Sequence, residues 1–108
     1  MSNVNVLFMF GAMRYAVYIV SSQDHGTLYT GVTNNLARRI WGHKQGVGAK
    51  FTTKYSVSRL VWYENHDCIH TAIKREKNIK AWQRQWKINM IERDNPYWLD
   101  MYASLGQL

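Results

Sequence analysis

Residues 15–43 read YAVYIVSSQDHGTLYTGVTNNLARRIWGH, and this stretch decides the fold. Residues 15–21 are β-branched and aromatic, which predicts a strand. Ser22-Gln23-Asp24-His25-Gly26 is turn chemistry, with Gly26 the residue expected to accept positive φ. Residues 27–33 return as a second strand, so the two form a hairpin with a slightly long loop. Alternation along the first strand sends Tyr15, Val17 and Ile19 to one face and Ala16, Tyr18 and Val20 to the other. Thr33 or Asn34 is placed to cap a helix that begins at once. On that helix Leu36, Arg39, Ile40 and His43 share a face by three-and-four spacing. Leu36 and Ile40 need the core, which brings Arg39 and His43 toward the hairpin. Gly46 and Gly48 end the helix.

Beyond it, residues 46–55, GVGAKFTTKY, read as a Gly-bearing loop in which Lys50 and Lys54 alternate with Phe51 and Tyr55. Basic and aromatic side chains in alternation suit contact with a nucleic-acid strand; a solvated loop with Phe51 tucked inward fits the same residues. Residues 59–64, RLVWYE, are a third strand with an apolar centre that predicts burial on both faces. Asp67 is the expected cap of a helix starting near Ile69. Its buried stripe is read as Ile69, Ala72, Ile73 and Ile79, and Glu76 falls inside that stripe. A further helix over residues 83–93 is expected to turn Trp86, Met90 and Ile91 inward. Asn95-Pro96 stops it, and Tyr97, Trp98, Leu99, Met101 and Tyr102 supply apolar cover. There is no repeat, low-complexity tract or second domain. Residues 1–12 precede the clean strand pattern and are expected to be an N-terminal extension, with Met13 as a natural start; residues 13–102 form the domain and residues 103–108 a C-terminal tail.

The bulk chemistry agrees with one compact domain. The 108-residue chain is 46% hydrophobic, too apolar for a disordered segment. Its 14 Lys+Arg against 7 Asp+Glu give +7, which favours a polyanionic partner, nucleic acid first. No apolar run approaches the length of a membrane span. A single cysteine, Cys68, excludes an internal disulfide and a multi-cysteine zinc site, and it fits a reducing, cytoplasmic compartment.

Five residues could perform chemistry. Glu76 is a carboxylate on a half-buried apolar stripe, costly unless paired or bound to a cation. An ion pair with Lys80 at i+4 is the plain reading; the other is a divalent cation held by one carboxylate, water and a substrate phosphate. Arg39 offers a planar fork of donors suited to phosphate, and His43, one turn on, could donate or carry a proton. Tyr18 and Tyr29 read first as packing aromatics. A tyrosine becomes a base only beside cations or a metal-bound water.

Taken together these residues form an ordered set. The chain resembles the GIY-YIG nuclease family, in particular its small single-domain bacterial members. Ala16-Val17-Tyr18 corresponds to the first signature tripeptide and Tyr29-Thr30-Gly31 to the second. Arg39 follows Gly31 by eight residues, His43 follows Arg39 by four, Glu76 lies in an Arg75-Glu76-Lys77 helix, and Asn95 matches a polar residue near the domain end. Ala16 and Thr30 depart from the signature but carry no reactive group. The resemblance implies an α+β fold, a small three-stranded antiparallel sheet flanked by helices. It further implies a divalent-metal-dependent endonuclease in which Glu76 holds one Mg²⁺ or Mn²⁺ ion. Arg39 would bind the phosphate, Tyr18 or Tyr29 would activate water, and His43 would assist. Arg38, Lys44, Lys50, Lys54 and Asn95 are the expected nucleic-acid contacts, Asn95 being a weaker candidate that could instead give structural support. DNA is the expected partner, RNA remaining open, as does the oligomeric state; structure-selective cutting and a link to repair or recombination come from the resemblance alone. A non-catalytic nucleic-acid-binding module using the same basic face is the alternative, and a structural protein whose charge serves solubility is a third.

Overall fold

The computed structural model describes residues 15–48 and 50–106. The extension expected over residues 1–12, and the start expected at Met13, lie outside them. The fold is α+β: a three-stranded antiparallel sheet, ordered β2-β1-β3, with helices against both faces. The central strand β1 (Tyr15–Ser21) pairs with β2 (Leu28–Thr33) on one side and β3 (Arg59–His66) on the other. In the β1–β2 turn the left-handed residue is His25, at φ 57°, and not the expected Gly26. His25 gains there a ring contact with Trp98, centroids 4.6 Å apart, and an ion pair with Glu92 at 2.9 Å.

The alternation of β1 divides the core as expected. Val17 and Ile19 belong to one apolar cluster, with Trp62, Ile79, Ile91 and Trp98; Tyr18 and Val20 belong to another, with Ile40, Val57 and Leu60. A bulge between Ile19, opposite Trp62, and Val20, opposite Leu60, leaves Val61 as the extra residue of β3. Leu60 therefore faces one cluster while Val61 and Trp62 both face the other, which is why the apolar run of β3 is continuous.

Helix α1 (Leu36–Lys44) is capped by Asn35, one residue later than expected. The Arg38 amide donates to Asn35 Oδ1 at 3.1 Å, and the Asn35 amide donates to Thr33 Oγ1, so Thr33 serves the turn and not the cap. The helix closes on Gly46 at φ 77°, with the Val47 amide donating back to the Gly42 carbonyl. Within the stretch expected to be a loop, Lys50–Tyr55 is a short helix, α2. Helix α3 (Ile69–Ala81) begins after Cys68, which is exposed, and not after Asp67. Its buried stripe is Ala72, Glu76 and Ile79; Ile73, about 100° around the helix from Ala72, is at the exposed margin. Helix α4 (Arg84–Asp94) buries Ile88, Met90 and Ile91. Trp86, in the first turn of this helix, is exposed and meets Trp82 edge-on.

Of the five residues expected as apolar cover after α4, Trp98 is buried, Met101 and Tyr102 are half-buried against the second cluster, and Tyr97 and Leu99 are exposed. Asn95 holds this turn. Its amide donates to the carbonyls of Val61 at 3.1 Å and Leu99 at 2.9 Å, and its Oδ1 accepts from the Leu99 amide at 3.0 Å. The segment expected as a tail opens with a further short helix, α5 (Tyr102–Leu105), whose Leu105 packs on the second cluster.

Candidate active site

Strand pairing sets Tyr18 opposite Gly31, so the Tyr18 ring crosses a residue without a side chain. A Cβ at Gly31 would stand 2.5 Å from the Tyr18 hydroxyl and 2.6 Å from Cζ. The second signature tripeptide thus supplies both a tyrosine and the opening in which the first tyrosine lies. Helix α1 then brings Arg39 and His43 to the same hydroxyl. Arg39 Nε donates to Tyr18 Oη at 3.2 Å, and His43 Nε2 lies 2.9 Å from it. The chain continues inward: His43 Nδ1 lies 2.9 Å from Thr52 Oγ1 on α2. Gly48 makes room for the imidazole, since a Cβ there would meet Nδ1 at 2.3 Å.

Burial separates the two tyrosines. Tyr18 is 1% exposed, whereas Tyr29 is only half-buried. Desolvation pushes the Tyr18 phenol above its ordinary pKa; the hydrogen bond and charge of Arg39 work against this, and Tyr29 and Glu76 add to it. The same hydrogen bond, outweighing desolvation and joined by the Tyr29 hydroxyl, strengthens the charge on Arg39. His43 is 4% exposed; burial first, and the Arg39 charge second, bring its pKa down to about 4. His43 is therefore neutral at physiological pH, with one ring nitrogen a donor and the other an acceptor.

Glu76 arrives from α3, which packs against all three strands. It is 8% exposed and ion-paired to Lys80 at 2.6 Å, the i+4 partner predicted by spacing. Lys80 Nζ also stands 5.7 Å from the centre of the Tyr29 ring. Lys80 thus joins the acid to Tyr29, while the Glu76 charge is felt at Tyr18. Among the described residues no group of three or more His, Cys, Asp or Glu side chains could form an all-protein metal cage. A lone buried carboxylate does fit an ion that keeps its waters and takes its other oxygens from a ligand.

The structure brings Tyr18, Tyr29, Arg39, His43 and Glu76 into one neighbourhood. It separates the expected nucleic-acid contacts. Arg38, Lys50 and Lys54 are exposed. Lys44 is engaged within the fold, donating to Asp100 at 2.5 Å and to the Ser58 carbonyl at 3.1 Å. Asn95, buried and hydrogen-bonded to backbone, is a structural clamp and not a surface contact. Thr52 and Lys80 were the residues sequence reasoning missed. Lys80 was visible as the i+4 partner of Glu76, but its position over Tyr29 was not; Thr52 has no periodic or motif signal at all.

An α+β sheet that presents two tyrosines, an arginine, a histidine and a separate glutamate in this arrangement is that of a nuclease-type domain. The family model described as the GIY-YIG catalytic domain matches residues 14–89, and the chain belongs to the GIY-YIG family. Among similar proteins, the UPF0213 protein of Staphylococcus saprophyticus is 40% identical over 78 residues, 72% of this chain and 94% of the relative. That of Staphylococcus haemolyticus is 42% identical over 79 residues, 73% of this chain and 95% of the relative. A solution NMR structure of a UPF0213 protein from Bacillus halodurans is 31% identical, covering 77% of this chain and 87% of that one, with a TM-score of 0.49. A GIY-YIG domain acts on nucleic acid, and no helix among the described residues is long and apolar enough to cross a membrane.

Proposed function

We propose that this protein is a divalent-metal-dependent endonuclease that hydrolyses phosphodiester bonds in DNA. The observation that supports it is the convergence of Arg39, both tyrosines and the Glu76–Lys80 pair. Such a buried polar assembly is costly to a fold that could fill the space with apolar side chains.

Each residue has a separable task in this reading. Arg39, held by Tyr18 through Nε and by the Tyr29 hydroxyl, would turn its other guanidinium donors to the scissile phosphate and to charge developing on it. Tyr29 is the better candidate base, because it is half-exposed where Tyr18 is buried and its proton costly to remove. Arg39 meets the Tyr29 hydroxyl and Lys80 its ring. Tyr29, its own proton first lost to solvent, takes the proton of the attacking water as the new P–O bond forms and the bond to the leaving oxygen breaks, and the leaving oxygen is protonated from solvent. His43, neutral and enclosed, orients Tyr18 and does not reach a phosphate. Glu76 would hold one Mg²⁺ or Mn²⁺ ion, its bond to Lys80 giving way. When bound, such an ion stabilises the leaving oxygen and polarises the phosphate. Cytoplasmic action on branched DNA during repair or recombination is the biological setting we assign.

The test is incubation of plasmid and branched DNA with the protein in Mg²⁺ or Mn²⁺ and in EDTA. Metal-dependent nicking is expected, and Arg39→Ala and Glu76→Ala should each lower it by about 10²–10³-fold. DNA binding with no cleavage in either metal, unchanged by Glu76→Ala, would favour the binding module instead.

A further inference from the structure

Residues 25–63 contain no Asp or Glu, yet they contain Arg38, Arg39, Lys44, Lys50, Lys54 and Arg59. A line of rings leads from this basic segment to the site. Tyr55 and Phe51, one turn apart on α2, have centroids 4.8 Å apart; Phe51 stacks on Tyr29, 6.0 Å apart and 27° from parallel. Tyr29 in turn meets His43 edge-on. Phe51 is 41% exposed and Tyr55 45%, so both retain free surface beside the site. Cations accompany the line: Lys54 Nζ lies 5.3 Å from the Tyr55 ring centre and Lys80 5.7 Å from that of Tyr29, while Lys50 is exposed.

We propose that Phe51 and Tyr55 are a stacking platform for an unpaired nucleobase of the strand whose phosphate Arg39 holds. The preferred substrate is then DNA that is single-stranded beside the cut. A paired base has its faces covered by its neighbours in the duplex, so it offers none to an exposed ring, whereas an unpaired base does, whatever its identity. The exposed Lys50 and Lys54 suit the phosphates on either side of that base. An arrangement serving only the fold would have no need to leave Phe51 and Tyr55 so exposed beside lysines. The inference rests on Arg39 as the phosphate ligand but not on cleavage.

Binding is therefore measured in EDTA with the full chain, using a labelled single-stranded oligonucleotide, the duplex of the same sequence, and a single strand containing 2-aminopurine. The wild type should bind the single strand more tightly and change the 2-aminopurine fluorescence. Phe51→Leu with Tyr55→Leu, which preserves apolar bulk without a ring, should lower single-strand affinity about 10–100-fold. Its duplex affinity should hardly change, and Phe51→Tyr should restore the single-strand preference. Equal wild-type affinity for both forms overturns the platform, as does an unchanged single-strand affinity in the double Leu variant. An equal loss on strand and duplex overturns it too. Cleavage without strand preference would sink the platform and leave the nuclease reading standing; strand-selective binding without cleavage would do the reverse.

Discussion

Val17 and Tyr18 are neighbours on β1 and face opposite worlds. Val17 enters a cluster of Ile19, Trp62, Ile79, Ile91 and Trp98, where nearly every contact is apolar. Tyr18 enters a smaller cluster and ends in the Arg39–Tyr18–His43–Thr52 chain of hydrogen bonds. The first face has the larger apolar volume and should set the stability of the domain. The second encloses polar groups at a cost, and that cost is tolerated where the geometry serves chemistry.

The sharpest way to break this division is to damage the dry face. Trp98 is fully buried, donates Nε1–H to Glu92 at 2.8 Å and lies under His25. Trp98→Ala should cost about 3–5 kcal/mol of unfolding free energy, read from the denaturant midpoint. The molecules that remain folded should cleave as the wild type does. A Trp98→Ala protein of normal stability that has lost nicking would show that the two faces are not separable.

The polar face should instead reveal itself in acid. His43 has its pKa lowered from 6.5 to about 4 by burial, then by Arg39. Between those values the unfolded chain binds a proton that the folded one refuses. The contribution of His43 is thus complete above about pH 6.5 and lost as pH falls through 4, amounting to about 3 kcal/mol at most. Unfolding free energy measured across that window should fall more steeply for the wild type than for His43→Gln. Parallel curves would mean that His43 is not held neutral.

How much of this was legible in the chain follows from the range of each interaction. The hairpin, the three strands and the face on which Tyr18 lies are local, set by alternation and turn residues, and they appear where expected. Glu76 stood out because a carboxylate interrupts an apolar period, and it is buried. The errors fall where tertiary contact overrides local preference. Trp86 shares a helix face with the buried Met90, as expected, yet it lies in the first turn of α4 and is exposed. Asn95 left substrate contact and structural support open, and only the tertiary contact decides: its amide closes a turn between β3 and the residues after α4. The short α2 was hidden by its glycine-bearing approach, and with it Thr52, whose partner is nine residues back on another helix.

Thr52 gives the smallest and most specific test of the comparison. It is 1% exposed, and its hydroxyl meets His43 Nδ1. Neutral imidazole couples its two nitrogens: with the proton on Nδ1 donated to Thr52, Nε2 accepts from the Tyr18 hydroxyl; with the proton on Nε2, that hydroxyl is an acceptor and its own proton turns elsewhere. Thr52→Val keeps the shape and removes the partner, so a buried Nδ1–H would be left unmatched at about 1–3 kcal/mol, and the proton shifts to Nε2. The expected result is about 1 kcal/mol of lost stability with a several-fold fall in nicking, and a ¹⁵N spectrum in which the His43 tautomer has changed. Thr52→Ser, which restores the hydroxyl, should recover the original tautomer. If Val and Ser variants share one tautomer and one rate, Thr52 is ordinary packing and the hydrogen-bond chain ends at His43.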